Sequence, residues 1–292
     1  MKKWFLVLVA SVIAIVLAAC NDSADPTDNS SKDNEIDLTA EEVYSRALET
    51  SEDMGSVEAA INMKQEISDA EDGTIIENTD SDINMQIILD PFAMHMKETS
   101  NMELEGIGGD IPAMDTEIYF VDDGMYIYND YSGNDGDWMK KVGISEDMME
   151  EMSGKHPDPN EQLKEIQKYA NDLSIEQLND EVILKLDADD EKFNDFVEKM
   201  VKDNLTEDVL AQLGEEVQTA LQSMDVNSMS LEITLDKETF ELKTYNMDME
   251  MTMESGGEKN NIVQGMESEY SNVNNVDPIE VPEDIQDEAI AQ

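Results

Sequence analysis

The segment Met247-Asp-Met-Glu-Met-Thr-Met253 carries a thioether at every second position and a polar group between each pair. Successive side chains of an extended strand point to opposite faces, so this pattern suits a strand with one apolar face and one wet face. The acids then lie on the far side from the methionines, which disfavours a mixed thioether–carboxylate site. The same period recurs elsewhere. Val57, Ala59, Ile61, Met63 and Ile67 alternate with Glu58, Asn62, Lys64 and Glu66. Ile83, Met85, Ile87 and Leu89 alternate with Asp82, Asn84 and Gln86, and Met229, Leu231, Ile233 and Leu235 with serines, Glu232 and Thr234. A chain patterned in this way is organised around antiparallel sheet.

Turn signals join these runs. Asp72-Gly73 separates the first two, Asp90-Pro91 breaks the second, and Phe92, Met94 and Met96 line one face of the next. A glycine-rich loop, Gly106 to Pro112, leads to a strand at Glu117–Val121. Asp122-Asp123-Gly124 folds it back on Met125–Tyr128, and Trp138–Val142 completes the meander. Later, Val182, Leu184 and Leu186 share a strand face. Asp236-Lys237-Glu238 leads to Phe240–Met253, Gly256-Gly257 leads to Ile262–Tyr270, and the prolines of Asp277–Ile285 keep the end extended.

Helical signals are fewer. Thr39 with Glu42 forms a capping box ahead of a short helix striped by Val43, Ala47 and Leu48. Ser145 with Met148 and Met149 suggests another short helix, and Pro159–Ala170 a third. Phe193, Phe196, Val197, Met200 and Val201 fall at helical spacing, as do Leu210, Leu213, Val217, Leu221 and Met224 behind Thr206. Strands, then helices, then strands predict an α+β fold. The expected form is one curved antiparallel sheet, an incomplete barrel, with helices on its concave face.

The N-terminus predicts location. Lys2 and Lys3 precede an uncharged run from Trp4 to Ala19, shorter than the ~20 residues that span a bilayer. Leu17-Ala-Ala-Cys20 resembles the lipobox of bacterial lipoproteins, in which the cysteine is acylated and becomes the mature N-terminus. That resemblance implies a signal peptide over 1–19, a palmitate-type anchor at Cys20 and attachment to the extracytoplasmic face of the cell membrane. Residues 20–37 read as a flexible acidic tether, and 38–292 as a single domain.

Composition excludes several classes. Cys20 is the sole cysteine, so no disulfide staples the fold. The net charge of −52 becomes −54 once Lys2 and Lys3 leave with the signal. Such a surface repels nucleic acid, so no nucleic-acid partner is expected, and the chain reads as a monomer. A solvated face suited to salty or alkaline surroundings explains the charge, as does weak binding of cations or a basic partner.

No catalytic constellation emerges. The two histidines, His95 and His156, read as surface residues, His95 pointing away from Met94 and Met96 toward solvent. There is no third histidine or free thiol for a zinc site, and no nucleophile elbow, phosphate loop or metalloprotease motif. Asp130 to Gly136 approaches a calcium loop, but Lys141 stands where the bidentate acid belongs. The expectation is therefore no enzyme, no cofactor and no metal.

The layout of residues 38–290 also resembles the Gram-positive lipoproteins with a LolA- and LppX-like fold. The resemblance rests on the lipobox, the Asp90-Pro91 break, and Tyr119-Phe-Val-Asp-Asp-Gly-Met-Tyr126 before Trp138. It rests as well on Leu235-Asp-Lys-Glu-Thr-Phe240 before Met247–Met251, and on Asn275-Val-Asp-Pro-Ile-Glu-Val-Pro282. It implies a concave apolar face able to hold acyl chains. Methionine is flexible and polarizable and lines adaptable surfaces. Met63, Met85, Ile87, Met94, Met96, Met247, Met249, Met251 and Met253 are accordingly the candidate face for a lipid or other apolar ligand. Two readings stay open: a soft-walled ligand cavity, or a structural or interaction lipoprotein of the envelope whose face is filled by its own helices.

Overall fold

Thr39 turns the chain into its first helix, α1 (Ala40–Glu52). The capping box is formed in full: Glu42 N donates to Thr39 Oγ1 at 3.2 Å, and Thr39 N donates to Glu42 Oε2 at 2.8 Å. In this computed structural model the described residues are 37–104, 113–130, 136–141, 173–188, 223–255 and 257–291. The segment expected to be a signal peptide, Cys20 and most of the expected tether lie outside them. So do His156, the Gly106–Pro112 loop, the calcium-like loop beyond Asp130, and the predicted helices at Ser145–Met149, Pro159–Ala170, Phe193–Val201 and Leu210–Leu221.

Two meanders build the sheet. The first runs through β1 (Ser56–Asp69), β2 (Ile75–Leu89), β3 (Phe92–Leu104), β4 (Met114–Val121), β5 (Gly124–Asp130) and β6 (Trp138–Lys141). The second runs through β7 (Ser174–Gln177), β8 (Glu181–Ala188), β9 (Asp225–Asp236), β10 (Leu242–Ser255) and β11 (Glu258–Ser271). They join where β1 pairs antiparallel with β11, from Glu58 opposite Ser271 to Asp69 opposite Asn260. The C-terminal segment then forms α2 (Glu283–Glu288) and a two-residue strand, β12 (Ile290–Ala291), parallel to β6. The result is one twelve-stranded sheet in the order β12-β6-β5-β4-β3-β2-β1-β11-β10-β9-β8-β7. Its edge strands, β12 and β7, do not pair, so the sheet is open among the described residues.

The expected antiparallel sheet is present, and its strands run longer than the alternation marked. β2 begins at Ile75 and β3 continues to Leu104, through polar stretches that hide the period. The short strand β7 carried no usable pattern. The C-terminal segment is a partial correction: it is extended only to Pro282, after which α2 forms and carries Ile285. Among the described residues α1 and α2 are the only helices, and α1 alone joins the large core; the other helices expected on one face fall outside these residues.

Both faces of the sheet are covered in part. Val43, Tyr44 and Leu48 of α1 belong to the large core with β1 and β8–β11. The helix is held at its far end by Thr50 Oγ1, which donates to Thr239 O at 3.1 Å. Beside it the Arg46 guanidinium lies 5.2 Å above the ring of Phe240. Phe240 closes its turn with φ at 60°, in the left-handed region. A smaller cluster sits on the opposite face, where Val281, Ile279 and Ile285 of the C-terminal segment meet Tyr119, Tyr126 and Trp138.

Candidate ligand face

Partners opposite one another in a ladder share a face of the sheet, so the registers show which side chains lie together. Met63 stands opposite Met266, which stands opposite Met247. Met85 stands opposite Met96 and Ile87 opposite Met94, with Met96 opposite Ile118 and Met94 opposite Phe120. The rows connect through β1, where Ala59 faces Met85 and Val57 faces Ile87. Met249 and Met251 stand opposite Gln264 and Ile262, and Met253 opposite Asn260. All nine sequence-predicted face residues therefore lie on one side of the sheet. Met102, Met114, Met125, Met139, Met229 and Met266 join them there by the same registers.

That common side is not uniform. Met247, Met249, Met251 and Met253 are only 1–2% exposed and lie in the core shared with α1. Met63 and Met85 are half-buried against its margin, and Ile87, Met94 and Met96 are half-buried beyond it. Phe92 and Phe120 meet edge to face, 5.3 Å between centroids, next to Met94.

A polar patch interrupts the middle of the methionine face. One row reads Met229, Met249, Gln264, Gln65, Thr79, Met102 across β9, β10, β11, β1, β2 and β3. Gln65 and Gln264 are 8% and 1% exposed, and Gln65 Nε2 reaches Gln264 Oε1 at 3.5 Å. Beside that row, Ser81 Oγ donates to Ser100 Oγ at 2.9 Å, both buried. On the other side Glu77, 3% exposed, accepts from Thr79 Oγ1 at 3.0 Å. Burial pushes the Glu77 carboxyl above the usual carboxylate range, and the Thr79 hydrogen bond opposes this without cancelling it. Ser268 lies on the same face opposite Ile61, and its buried hydroxyl has no hydrogen-bond partner among the described residues.

Sequence reasoning missed this patch because only the apolar members of each inward series were marked and the polar ones were left unassigned. The signal was the phase: Gln65 sits between Met63 and Ile67, and Gln264 between Ile262 and Met266, each in step with the apolar series.

The opposite face carries the acids that alternate with the methionines of β10. Asp248, Glu250 and Glu254 are exposed, as the alternation requires. Ala60, Asn62, Asp82, Asn84, Glu267 and Glu269 line a hollow of about 410 Å³ there. Asn62 Nδ2 already bonds Asp80 and Asp82 at 3.1 and 3.0 Å. Among the described residues no group of three or more histidine or carboxylate side chains is arranged to hold a metal ion.

His95 occupies this face too, but its expected solvent-facing position needs correcting. It is half-buried: its ring stacks on Tyr119 with centroids 4.1 Å apart, and Nε2 lies 2.9 Å from Glu117 Oε1. The neighbouring aromatic ring and carboxylate hold it against the sheet. Lys97 Nζ reaches the same oxygen at 3.1 Å. Burial raises the Glu117 carboxyl, but hydrogen bonds from His95, Lys97 and Tyr119 outweigh it and hold the group below the ordinary range. Burial, and then the Glu117 carboxylate beside it, pushes the Tyr119 phenol up.

Among the described residues no helix is long and apolar enough to cross a membrane. No curated protein sequence matches the chain. Among solved structures, the chain is similar to LprF from Mycobacterium bovis, with a TM-score of 0.34 and 12% identity, covering 83% of this chain and 95% of that one. It is also similar to a beta-barrel-like protein of the domain of unknown function DUF1849 from Brucella abortus, with a TM-score of 0.23 and 9% identity over 74% and 98% of the two chains. A DUF1329 family protein from Desulfovibrio piger gives a TM-score of 0.24 and 9% identity over 79% and 90%. Over residues 39–290, from the N-cap of α1 to β12, the chain belongs to a family of unknown function (DUF6612).

Proposed function

We propose that this protein is a lipoprotein of LolA/LppX-like architecture, anchored through Cys20 to the extracytoplasmic face of the cell membrane. In this reading it binds a lipid or other apolar ligand against the methionine face, without catalysis. The observation that carries it is the placement of methionines from nine strands on one side of a single open sheet. Thioether side chains adapt to irregular apolar shapes at little cost, which suits a face that accepts acyl chains. The half-buried part around Met85, Ile87, Met94 and Met96 is where such a ligand would lie.

A second reading is favoured by one observation. The tight burial of Met247, Met249, Met251 and Met253 suits a structural or interaction lipoprotein whose sheet face is already filled.

Mass spectrometry of lipids extracted from protein purified without its acyl anchor separates the two. A stoichiometric co-purifying lipid supports the carrier reading, and a clean extract supports the structural one. Anchoring is tested separately. Cys20→Ala should accumulate as precursor without radioactive palmitate, and a labelled mutant would refute the anchor.

A further inference from the structure

The polar patch in the middle of the methionine face needs a reason. A buried amide or hydroxyl is costly when the hydrogen bonds it made with water are not replaced. Gln65 and Gln264 can each form several hydrogen bonds. Among the described residues they share a single contact at 3.5 Å, and Gln264 Nε2 otherwise reaches only Met63 Sδ at 3.9 Å. A face selected only to pack core, or to hold plain hydrocarbon, would place leucine or methionine at these positions. The registers instead put Gln264, Gln65 and Thr79 side by side, flanked by Ser81 with Ser100 and by Glu77. Met249 bounds the row on one side and Met102 on the other.

Building on the carrier reading, we propose that the ligand is an amphiphile whose uncharged, hydroxyl-bearing end seats on the patch of Gln65, Gln264, Thr79, Glu77, Ser81 and Ser100. Its acyl portion lies over the half-buried side of the patch, along Met102, Met96, Met94 and Met85. Carboxamides and hydroxyls both donate and accept, which matches a polyol or glyceryl end. Among the described residues no lysine or arginine belongs to the patch, so an anionic end would face Glu77 with no counter-charge from them. A cationic end would need an ionised Glu77, and burial favours its neutral form.

The test uses residues 20–292 with Cys20→Ser, the mature chain without its acyl groups. The apolar dye 1-N-phenylnaphthylamine reports occupancy of the face by fluorescence. Dodecane, 1-monododecanoylglycerol, dodecanoate and dodecylamine then compete, all with twelve-carbon chains. The monoglyceride should displace dye at about tenfold lower concentration than dodecane or dodecanoate, equivalent to ~1.4 kcal/mol. The double variant Gln65→Leu, Gln264→Leu should keep dye binding and erase that preference. Thr79→Val, nearly isosteric, should reduce the preference should the double variant not fold.

Equal displacement by dodecane and the monoglyceride in the unaltered sequence would overturn the proposal. Strongest displacement by dodecylamine or dodecanoate would overturn the uncharged end. Failure of the dye to bind at all would instead remove the carrier reading on which the proposal rests.

Discussion

The two halves of the methionine face begin from the same sequence pattern and end in different states. On β8–β11, Val182, Leu184, Leu231, Leu235 and Met247–Met253 at alternate positions are between 0 and 3% exposed. On β2–β4, Met85, Ile87, Met94, Met96 and Ile118 repeat the period yet stay half-buried, and Leu89 is 43% exposed. α1 accounts for part of the difference: Val43, Tyr44 and Leu48 belong to the first half's core, and Arg46 over Phe240 ties the helix to the β9–β10 turn. Alternation specifies that a strand has an apolar face. What that face meets is settled by segments far away in the chain, so one pattern serves as core in one place and as an accessible surface in another.

The largest effect that would break this comparison comes from charge. Met251→Lys places an ammonium in the closed core and should leave residues 20–292 unfolded at 25 °C by far-UV circular dichroism. Met96→Lys should fold and melt within about 3 °C of the parent, because a lysine stem can lie along a half-open face with its head in water. Equal damage from both would mean that the halves are equally closed.

Truncation sharpens the comparison. Met251→Ala should cost about 2–4 kcal/mol in urea unfolding, and Met96→Ala less than about 1 kcal/mol, since a cavity penalty arises only where neighbours surround the lost atoms. Thr39→Ala removes the capping box of α1 and should cost about 1 kcal/mol, lowering the urea midpoint with the slope unchanged.

The smallest effect is a pH dependence at the boundary between the halves. The Glu77 carboxyl titrates above its unfolded value, so its contribution to stability is greatest below the ordinary carboxylate range. That contribution is lost as pH rises through the raised folded value. Glu77→Gln should therefore stabilise the protein at neutral pH, and the gain should vanish in melts near pH 3. A constant difference across that range would remove the titration account.

Much of the sheet was legible in the sequence. Val57–Ile67, Ile83–Leu89 and Met229–Leu235 show their period openly, and Thr39 with Glu42 announced α1. The patch was not legible, because Glu77, Thr79 and Ser81 carry the inward phase with polar side chains. A reading by hydropathy alone assigns those positions to water. His95 was placed on the correct face, but its stacking on Tyr119 and its contact with Glu117 join β3 to β4, a relation that strand periodicity does not encode.

By itself the sequence determined most of the long strands, the capped helix and the apolar side of the strands whose alternation is open, because these depend on neighbours within a few residues. Tertiary structure alone decided that β1 pairs with β11, joining the two meanders into one sheet and bringing Gln65 beside Gln264. It also decided that α1 joins the core of one half, and that the C-terminal segment lies across Tyr119 and Tyr126 on the opposite face. Such long-range pairings depend on the complementarity of whole surfaces, and no local period in a chain records which distant surface will meet which.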